Sequence, residues 1–191
     1  MLKSDKQTRQ GLYQALYNRK TAIAHGYYEK EKKTGIWHFY NKKGVLIENY
    51  NYDTNTLLYE APEDSTSNIF YVIDNKLNDT DIITKPIKPG GRYYGYLPYL
   101  KNFRLPNDLY DINRLSFSGV IELLISPGGR LADFKVHIKS AAYDKVINMN
   151  VEAVDEEDKT FYPATLNKVP ISSRIFINCF LTADGRLKIN L

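Results

Sequence analysis

Alternating apolar and polar positions in residues 119–139 predict two β-strands that fold back on each other. Pro127, Gly128 and the two residues after them predict the intervening turn. Each strand has one apolar face. These faces comprise Ile121, Leu123 and Ile125 on the first strand, and Ala132, Phe134, Val136 and Ile138 on the second. Because a two-stranded hairpin is marginally stable alone, we expect other elements to cover this face.

A helix is predicted over residues 141–154, directly after the hairpin. Ser140 can serve as its N-cap, and apolar residues recur at helical spacing. These are Tyr143, Val146, Ile147, Val151 and Val154. The acidic residues 155–158 oppose the helix dipole, so the helix should end near Val154. We expect it to pack on the hairpin, in a core that includes Ile121, Phe134, Ile147 and Ile177.

A third strand is predicted at residues 174–182, where apolar residues alternate with the rest. The apolar set is Ile175, Ile177, Cys179 and Leu181. A turn at 183–186 follows, and then Leu187, Ile189 and Leu191 have the spacing of another short strand. We expect residues 187–191 to pair antiparallel with the third strand and to cover its edge, because an uncovered edge favours aggregation.

Residues 9–28 and 33–52 form two copies of one unit, aligned on Gly11 and Gly35. Leu12-Tyr13 matches Ile36-Trp37, Tyr17-Asn18-Arg19-Lys20 matches Tyr40-Asn41-Lys42-Lys43, and Tyr27 falls on Tyr50. Each copy predicts a hairpin, and we expect the hairpins within residues 9–59 to join in one sheet with Tyr13 and Trp37 on the same face. The pattern resembles MORN-type repeats, although Thr21 replaces the turn glycine of the second copy.

The chain between the repeats and the hairpin has three predicted parts. Residues 60–68 are polar and predict a loop, and residues 69–73 predict a short strand. The Pro-Gly-Gly turn at 89–91 precedes a short helix that carries tyrosines and leucines, although Pro98 would break or kink a longer one.

The second half resembles the C-terminal domain of TonB over residues 85–182. Four family motifs occur in order. They match Pro86, Gly90, Gly91, Tyr99, Leu100, Asn102, Leu105 and Pro106 first; then Gly119, Gly129 and Asp133; then Tyr143 and Asp144; and finally Phe161, Pro163, Ala164, Asn167, Pro170 and Ile171. Lys168 and Leu105 depart from the family pattern, and neither a membrane helix nor a Pro-rich spacer is present, so energy transduction is not implied.

The resemblance implies a mode of binding. In this family a partner's extended segment adds as a strand beside the final strand of the sheet. Carried onto this sequence, the partner-binding positions are those that alternate with the apolar ones on the third strand. They are Arg174, Phe176, Asn178 and Phe180.

Composition narrows the function classes. The chain has 191 residues, and its 26 lysines and arginines against 22 acidic residues are spread along it. A nucleic-acid partner is therefore not predicted, and membrane contact is expected only through an anchor outside this sequence. The chain begins without an apolar secretory core, so it is either cytosolic or has lost a leader.

Single residues give weaker signals. His25, His38, His137 and Cys179 lack the spacing of metal ligands, and no nucleophile, base and orienting group recur together, so we predict no catalytic, metal or cofactor site. Cys179 is interpreted as a buried, inert thiol. The sixteen tyrosines can pack a thin sheet or bind a ligand, and packing is preferred.

The sequence thus predicts an α+β protein with a MORN-like hairpin sheet at residues 1–60, a linker and short strand at 61–84, and a TonB-C-terminal-like antiparallel sheet packed with one or two helices at 85–191. The expected function is a non-catalytic cell-envelope module, periplasmic if a leader is removed, that binds an envelope protein or extended peptide by strand addition. Two alternatives remain. They are a polysaccharide- or small-ligand-binding module that uses exposed tyrosines, and an enzyme with a tyrosine-lined cleft.

Overall fold

The computed structural model describes residues 8–63, 67–106, 117–140 and 143–189. Within these residues the chain is mostly antiparallel β-sheet, with one short α-helix. It divides into two compact units. The first comprises residues 8–63 and 89–96, and the second comprises residues 67–88, 97–106, 117–140 and 143–189. The β-rich character is confirmed, whereas the helical share is smaller than predicted.

The first unit contains one five-stranded antiparallel sheet, in which every strand pairs with the next one along the chain. Its strands are β1 (Gly11–Tyr17), β2 (Thr21–Glu29), β3 (Lys32–Tyr40), β4 (Leu46–Asn51) and β5 (Thr56–Glu60). The prediction that the hairpins within residues 9–59 join in one continuous sheet is confirmed.

The two predicted repeat turns differ in geometry. Asn18 and Arg19, between β1 and β2, have φ angles of 50° and 59°. These left-handed values at two successive residues are typical of the two-residue turn that fits the twist of a hairpin. Between β3 and β4, Gly44 has a φ of 80°, and the Asn41 side chain accepts hydrogen bonds from the backbone N–H groups of Lys43 and Val45. The first copy, which lacks this glycine, thus reverses direction through a tighter turn.

Trp37 is the centre of the first unit's core, and no part of it is exposed. Its ring lies 5.8 Å from that of Tyr13, so these two residues occupy the same face as predicted. Tyr28 meets the indole edge-on at 5.1 Å. The predicted match between Tyr27 and Tyr50 is wrong in orientation, because Tyr27 is 58% exposed and Tyr50 is buried. Tyr50 lies opposite Trp37, and Gly26 lies opposite Tyr13, so the residue equivalent to Tyr50 is Gly26, one position before Tyr27.

Residues 89–96 pack within the first unit. The ring of Tyr94 stacks on Phe39 at 5.8 Å, and the ring of Tyr93 meets Tyr17 edge-on at 6.0 Å. The carboxylate of Glu48 is buried and accepts a hydrogen bond of 2.8 Å from the N–H of Gly90. A buried charge requires such a partner, so this bond fixes the segment against β4.

The second unit contains a six-stranded sheet and a three-stranded one. In chain order its elements are β6 (Ile69–Val72), β7 (Ile83–Thr84), α1 (Leu97–Lys101), β8 (Ser118–Ile125), β9 (Leu131–Ser140), β10 (Tyr143–Asn148), β11 (Ala164–Leu166), β12 (Val169–Ile171), β13 (Ser173–Leu181) and β14 (Leu187–Ile189). The large sheet has the order β10-β9-β8-β13-β14, and β6 also pairs with β13. The small sheet has the order β12-β11-β7.

The predicted short helix is present as a 3-10 turn at Tyr94–Tyr96 followed by α1. Pro98 does not break α1, because it lies in the first turn, where a backbone N–H has no partner within the helix. The ring of Tyr99 on α1 meets Phe134 edge-on at 5.5 Å. This contact places α1 over the apolar face of β9.

The central hairpin forms as predicted from β8 and β9. Ile121 lies opposite Val136, and Leu123 lies opposite Phe134; all four side chains are fully buried. One detail of the prediction is wrong. Next to the hairpin loop the register shifts, so that Leu131 faces the core and Ala132, which was predicted to do so, is exposed. The extra residue of such a bulge reverses the alternation locally.

The helix predicted at 141–154 is the main error. Residues 141 and 142 lie outside the described part of the chain, Tyr143–Asn148 forms strand β10, and only Val151–Ala153 is helical, as a 3-10 turn. Ser140 ends β9 and caps no helix. The run through Val146 and Ile147 fits strand alternation as well as helical spacing. Pairing it with β9 satisfies backbone N–H and C=O groups at the edge of β9, which a helix would leave without hydrogen-bond partners.

The core of the second unit otherwise follows the prediction. Ile121, Phe134 and Ile177 are fully buried and meet on one face of the large sheet. Ile147 contributes from the strand β10, where it is half-buried. Thus three residues of the predicted core are central, and the fourth lies at the margin.

The small sheet contains a tight turn between β11 and β12. Asn167 and Lys168 have φ angles of 51° and 69° there. Asn167 also accepts a hydrogen bond from the N–H of Ile82 and donates one to Asp81. The turn thereby connects this hairpin to the segment before β7.

Candidate functional site

The four predicted partner-binding residues lie on β13, on the side that faces away from the core. Arg174 and Phe176 are half-buried, whereas Asn178 and Phe180 are exposed. Ile175, Ile177, Cys179 and Leu181 face the core instead. The four side chains thus share one face as the alternation predicts, although strand addition also depends on the state of the strand's edges.

Both edges of β13 are occupied. Along one edge β8 pairs with it antiparallel over the full length from Ser173 to Phe180. Along the other edge two short strands lie end to end. β6 pairs with Arg174–Ile177, and β14 pairs with residues 179–181. The prediction that the tail covers this edge is confirmed for residues 187–189, and a partner strand can reach the edge only by displacing β6 or β14.

The two covering strands meet at Asn178. Its backbone N–H donates a 2.8 Å hydrogen bond to the carbonyl of Asn68, just before β6 begins. Arg174 holds the far end of β6, since its guanidinium pairs with Asp74 and its Nε lies 3.2 Å from Glu122. β6 is therefore fixed at both of its ends by polar contacts.

β14 buries two apolar side chains. Leu187 lies opposite Leu181, and Ile189 lies opposite Cys179. Leu187 is 5% exposed and Ile189 is 1% exposed, whereas Lys188 between them points to solvent. Burying two such side chains contributes on the order of 3–6 kcal/mol before the entropy of ordering the segment is subtracted.

Gly119 creates the space that Leu187 fills. A Cβ atom built on Gly119 would lie 2.4 Å from Cδ2 of Leu187, a distance that packed atoms do not adopt. The backbone of Gly119 does not have a positive φ, so the glycine is explained by this close approach and not by its own conformation. We use the term tail slot for the site that Leu187 and Ile189 occupy, over Gly119 and beside residues 179–181 of β13.

The turn that leads into the tail slot is firmly built. The N–H of Leu105 donates to the carbonyl of Gly185 at 3.0 Å. The hydroxyl of Thr182 accepts from the N–H of Arg186 at 3.1 Å, and the N–H of Thr182 donates to the carbonyl of Arg186. Displacement of the tail can therefore begin at Leu187 without loss of the turn.

Cys179 borders the tail slot and is buried there. Burial raises the pKa of its thiol to about 12, although a contact with the backbone at Ile121 opposes this effect. Its Sγ lies 3.5 Å from the carbonyl oxygen of Ile177. Because a thiol must lose its proton to act as a nucleophile or metal ligand, the interpretation of Cys179 as a buried, inert residue fits the structure.

A polar chain crosses the outer face of the large sheet. Glu122 accepts a hydrogen bond from Nε2 of His137 at 2.6 Å and also contacts Arg174. His137 therefore lies on the face opposite Cys179, so these two residues do not form a common site. Within the described residues no group of three or more His, Cys, Asp and Glu side chains is placed to bind a metal.

His25 and His38 face each other across β2 and β3, with ring centroids 4.7 Å apart. Tyr40 Oη lies 3.3 Å from Nδ1 of His25, and Nδ1 of His38 donates to Asn49 at 2.7 Å. Burial, together with the neighbouring His38, lowers the pKa of His25. Sequence spacing gave no sign of this pair, because a hairpin register brings it together.

Most tyrosines of the first unit serve packing. Tyr28, Tyr50, Tyr93 and Tyr96 are buried, while Tyr27 and Tyr59 are exposed. On the outer face of the sheet, cross-strand neighbours form a polar row. The row comprises Gln14, His25, His38, Asn49 and Tyr59. The sequence could not separate the packed tyrosines from the exposed ones.

A shallow cleft of about 510 Å³ lies at one end of the first unit's sheet. It is lined by Gln10, Gly11, Tyr27, Tyr28, Glu29, Thr34, Gly35 and Asp53. Two of its polar groups already have backbone partners. The carboxylate of Asp53 accepts from the N–H of Gly35, and the side chain of Gln10 accepts from the N–H of Lys30.

Comparison with known proteins gives no match: no family model, curated protein or solved structure resembles the chain significantly. No helix in the described ranges is long and apolar enough to cross a membrane.

Proposed function

We propose that this chain is a non-catalytic interaction module of the cell envelope that binds an extended partner segment by β-strand addition. The observation that carries the proposal is the edge of β13, which two short strands cover in place of one long strand. Strand addition needs backbone N–H and C=O groups along an edge, and three residues of β14 satisfy only a small part of that edge.

The proposal places the partner beside residues 179–181. β6 is held by hydrogen bonds and ion pairs at both ends, and β14 is held by the turn at residues 182–186 and by the burial of Leu187 and Ile189. In this proposal β14, the shorter of the two strands, is the one that a competing segment displaces. The exposed residues Asn178 and Phe180 would then lie beside the incoming strand, and Arg174 and Phe176 would stay paired with β6.

The proposed assignment of the two parts follows the sequence resemblances. The first unit is proposed to be a MORN-like hairpin sheet, supported by a continuous meander in which Gly11 and Gly35 both have positive φ. The second is proposed to be a TonB-C-terminal-like domain, supported by the central hairpin, the final strand and α1. A periplasmic or cell-envelope location and an envelope protein as partner are parts of the same proposal.

The test is to remove residues 187–191, which leaves the 182–186 turn intact, and to measure capture of extended synthetic peptides with alternating apolar residues. The shortened chain should bind such peptides more tightly than the full chain and should dimerise more readily through the uncovered edge. Lys188→Ala in the full chain is the matched control, since this side chain points to solvent. A shortened chain that stays monomeric and gains no affinity contradicts the proposal.

A second candidate, polysaccharide binding, is favoured by the outer face of the first sheet. Its polar row offers amide and imidazole groups for hydrogen bonds, and Tyr27 is 58% exposed beside it. Aromatic rings with neighbouring polar groups can bind sugar rings by stacking and hydrogen bonding. Affinity electrophoresis in soluble polysaccharides tests this candidate. Tyr27→Ala and Asn49→Ala should abolish retardation, and Val169→Ala, which truncates an exposed apolar side chain of the second unit, should not. No retardation of the unchanged protein rejects the candidate.

A further inference from the structure

We infer that the tail slot selects its partner by side-chain pattern: an extended segment with a leucine over Gly119 and a second apolar residue two positions later. The inference rests on the proposed function and names the class of peptide that the same edge accepts. Its basis is the segment already seated there, Leu187–Ile189, which shows what fits.

The first requirement comes from Gly119. Its missing Cβ leaves a hole that Leu187 fills so closely that an added carbon would lie 2.4 Å from the leucine Cδ2. A smaller side chain at this position of a partner would leave the hole empty and forfeit its contacts. A leucine-sized residue is therefore favoured over alanine, by about tenfold in affinity if half of a leucine's burial free energy is lost.

The second requirement is the spacing. Leu187 and Ile189 both face the core, and Lys188 faces solvent opposite Phe180. Because side chains alternate strictly along a strand, a segment shifted by one residue would present its polar side chains to the core. The slot therefore binds a segment that runs antiparallel to β13 and has two apolar residues separated by one polar residue of any type.

The direction is fixed by the same register. The partner's leucine lies opposite Leu181 and its second apolar residue lies opposite Cys179. Cys179 is buried and its thiol is neutral, so this end of the slot offers an apolar contact and accepts no charged side chain.

The experiment uses the full chain in three forms: unchanged, Leu187→Ala, and Gly119→Ala with Leu187→Ala. Leu187→Ala empties the hole and weakens the tail. The double variant weakens the tail equally but fills the hole, because the new Cβ has only ordinary contacts, at 3.8 Å, with Cys179 and Ile138 once the leucine is gone. Circular dichroism verifies that both variants are folded.

The probe is the acetylated peptide Arg-Leu-Lys-Ile-Asn-Leu, which corresponds to residues 186–191. Two further peptides carry alanine at the first leucine, or exchange neighbouring residues so that the apolar positions shift by one. Binding is measured by NMR titration of the amide signals of residues 179–181. The Leu187→Ala chain should bind the first peptide about tenfold more tightly than either of the others, and the double variant should lose that preference.

The possible failures are distinguishable. If Leu187→Ala binds all three peptides equally, strand addition stands and the inference of a leucine-specific slot is wrong. If none of the three chains binds any peptide at the 179–181 edge, both the inference and the proposed function are wrong. Equal preference in the single and double variants shows that Gly119 does not set the selectivity and also overturns the inference.

Discussion

The indole of Trp37 lies directly over Gly26, so that a Cβ atom at residue 26 would be 2.4 Å from the ring. We expect Gly26→Ala to destabilise the first unit by about 1–3 kcal/mol, because neither the buried ring nor the strand can move away freely. The chain has one tryptophan, so its fluorescence during urea unfolding reports on this unit.

Gly128→Ala is the control for this variant. Its nearest neighbour to an added Cβ is a side-chain oxygen of Ser126 at 3.8 Å, and its backbone does not have a positive φ. This change should leave the tryptophan transition in place. An unfolding midpoint that is the same for Gly26→Ala and the unchanged protein would contradict the packing described for Trp37.

Phe134 joins the central hairpin to α1 through its contact with Tyr99. Truncation to alanine should cost about 3–5 kcal/mol, since the side chain is fully buried and the sheet cannot close around the cavity. Denaturant melts followed by far-ultraviolet circular dichroism measure the loss. Lys135→Ala, on the outer face of the same strand, should change stability little, and a loss below about 1 kcal/mol for Phe134→Ala would exclude this core arrangement.

Lys168 has a left-handed backbone at the second turn position between β11 and β12. Replacement by glycine should stabilise the folded protein by about 0.5–1 kcal/mol, because glycine adopts this conformation without a Cβ clash. Thermal melts of Lys168→Gly and Lys168→Ala separate backbone strain from loss of the lysine side chain. Equal melting temperatures for these two variants would refute the strain argument.

Cys179 predicts a specific dependence of stability on pH. Its thiol has a pKa of about 12 when folded and an ordinary value near 9.0 when exposed by unfolding. Between these values the unfolded chain has lost the thiol proton and the folded chain retains it, so stability falls as pH rises from 9 toward 12. The slope contributed by this one group approaches 1.4 kcal/mol per pH unit.

Other groups titrate in the same range, so the comparison is with Cys179→Ala. The difference in unfolding free energy between the two proteins should be constant below pH 8 and should change above pH 9 in favour of the alanine variant. A difference that stays constant up to pH 11 would show that the thiol is not buried as described.

The parts of the fold that sequence predicted are those with strict local alternation. β8, β9 and β13 each have alternating apolar residues over most of their length, which only a half-buried strand explains. The run from Tyr143 to Asn148 is too short to separate period 2 from period 3.6, and the pairing with β9 decided it. That pairing is a tertiary contact, which local spacing does not contain.

The candidate site was predictable only in part. The turn before Leu187 and the spacing of Leu187 and Ile189 were sufficient to predict the covering tail. The coverage by β6 was not predicted, because its sequence indicates a strand but not which strand it joins. The role of Gly119 could not be predicted for the same reason. Local sequence does not indicate that the side chain of Leu187 packs against this glycine.

The shared edge of β13 also has a consequence for how the chain folds during synthesis. Arg174 and its partner Asp74 are 100 residues apart, so the second unit cannot close its largest sheet until β13 has been made. Such non-local pairing slows folding and leaves β6 without its partner in the meantime. A ribosome-bound chain that ends before β13 would therefore expose Ile69, which is 3% exposed in the folded protein, on an unpaired strand. Chaperone dependence should cease once residues 173–181 can pair with that strand.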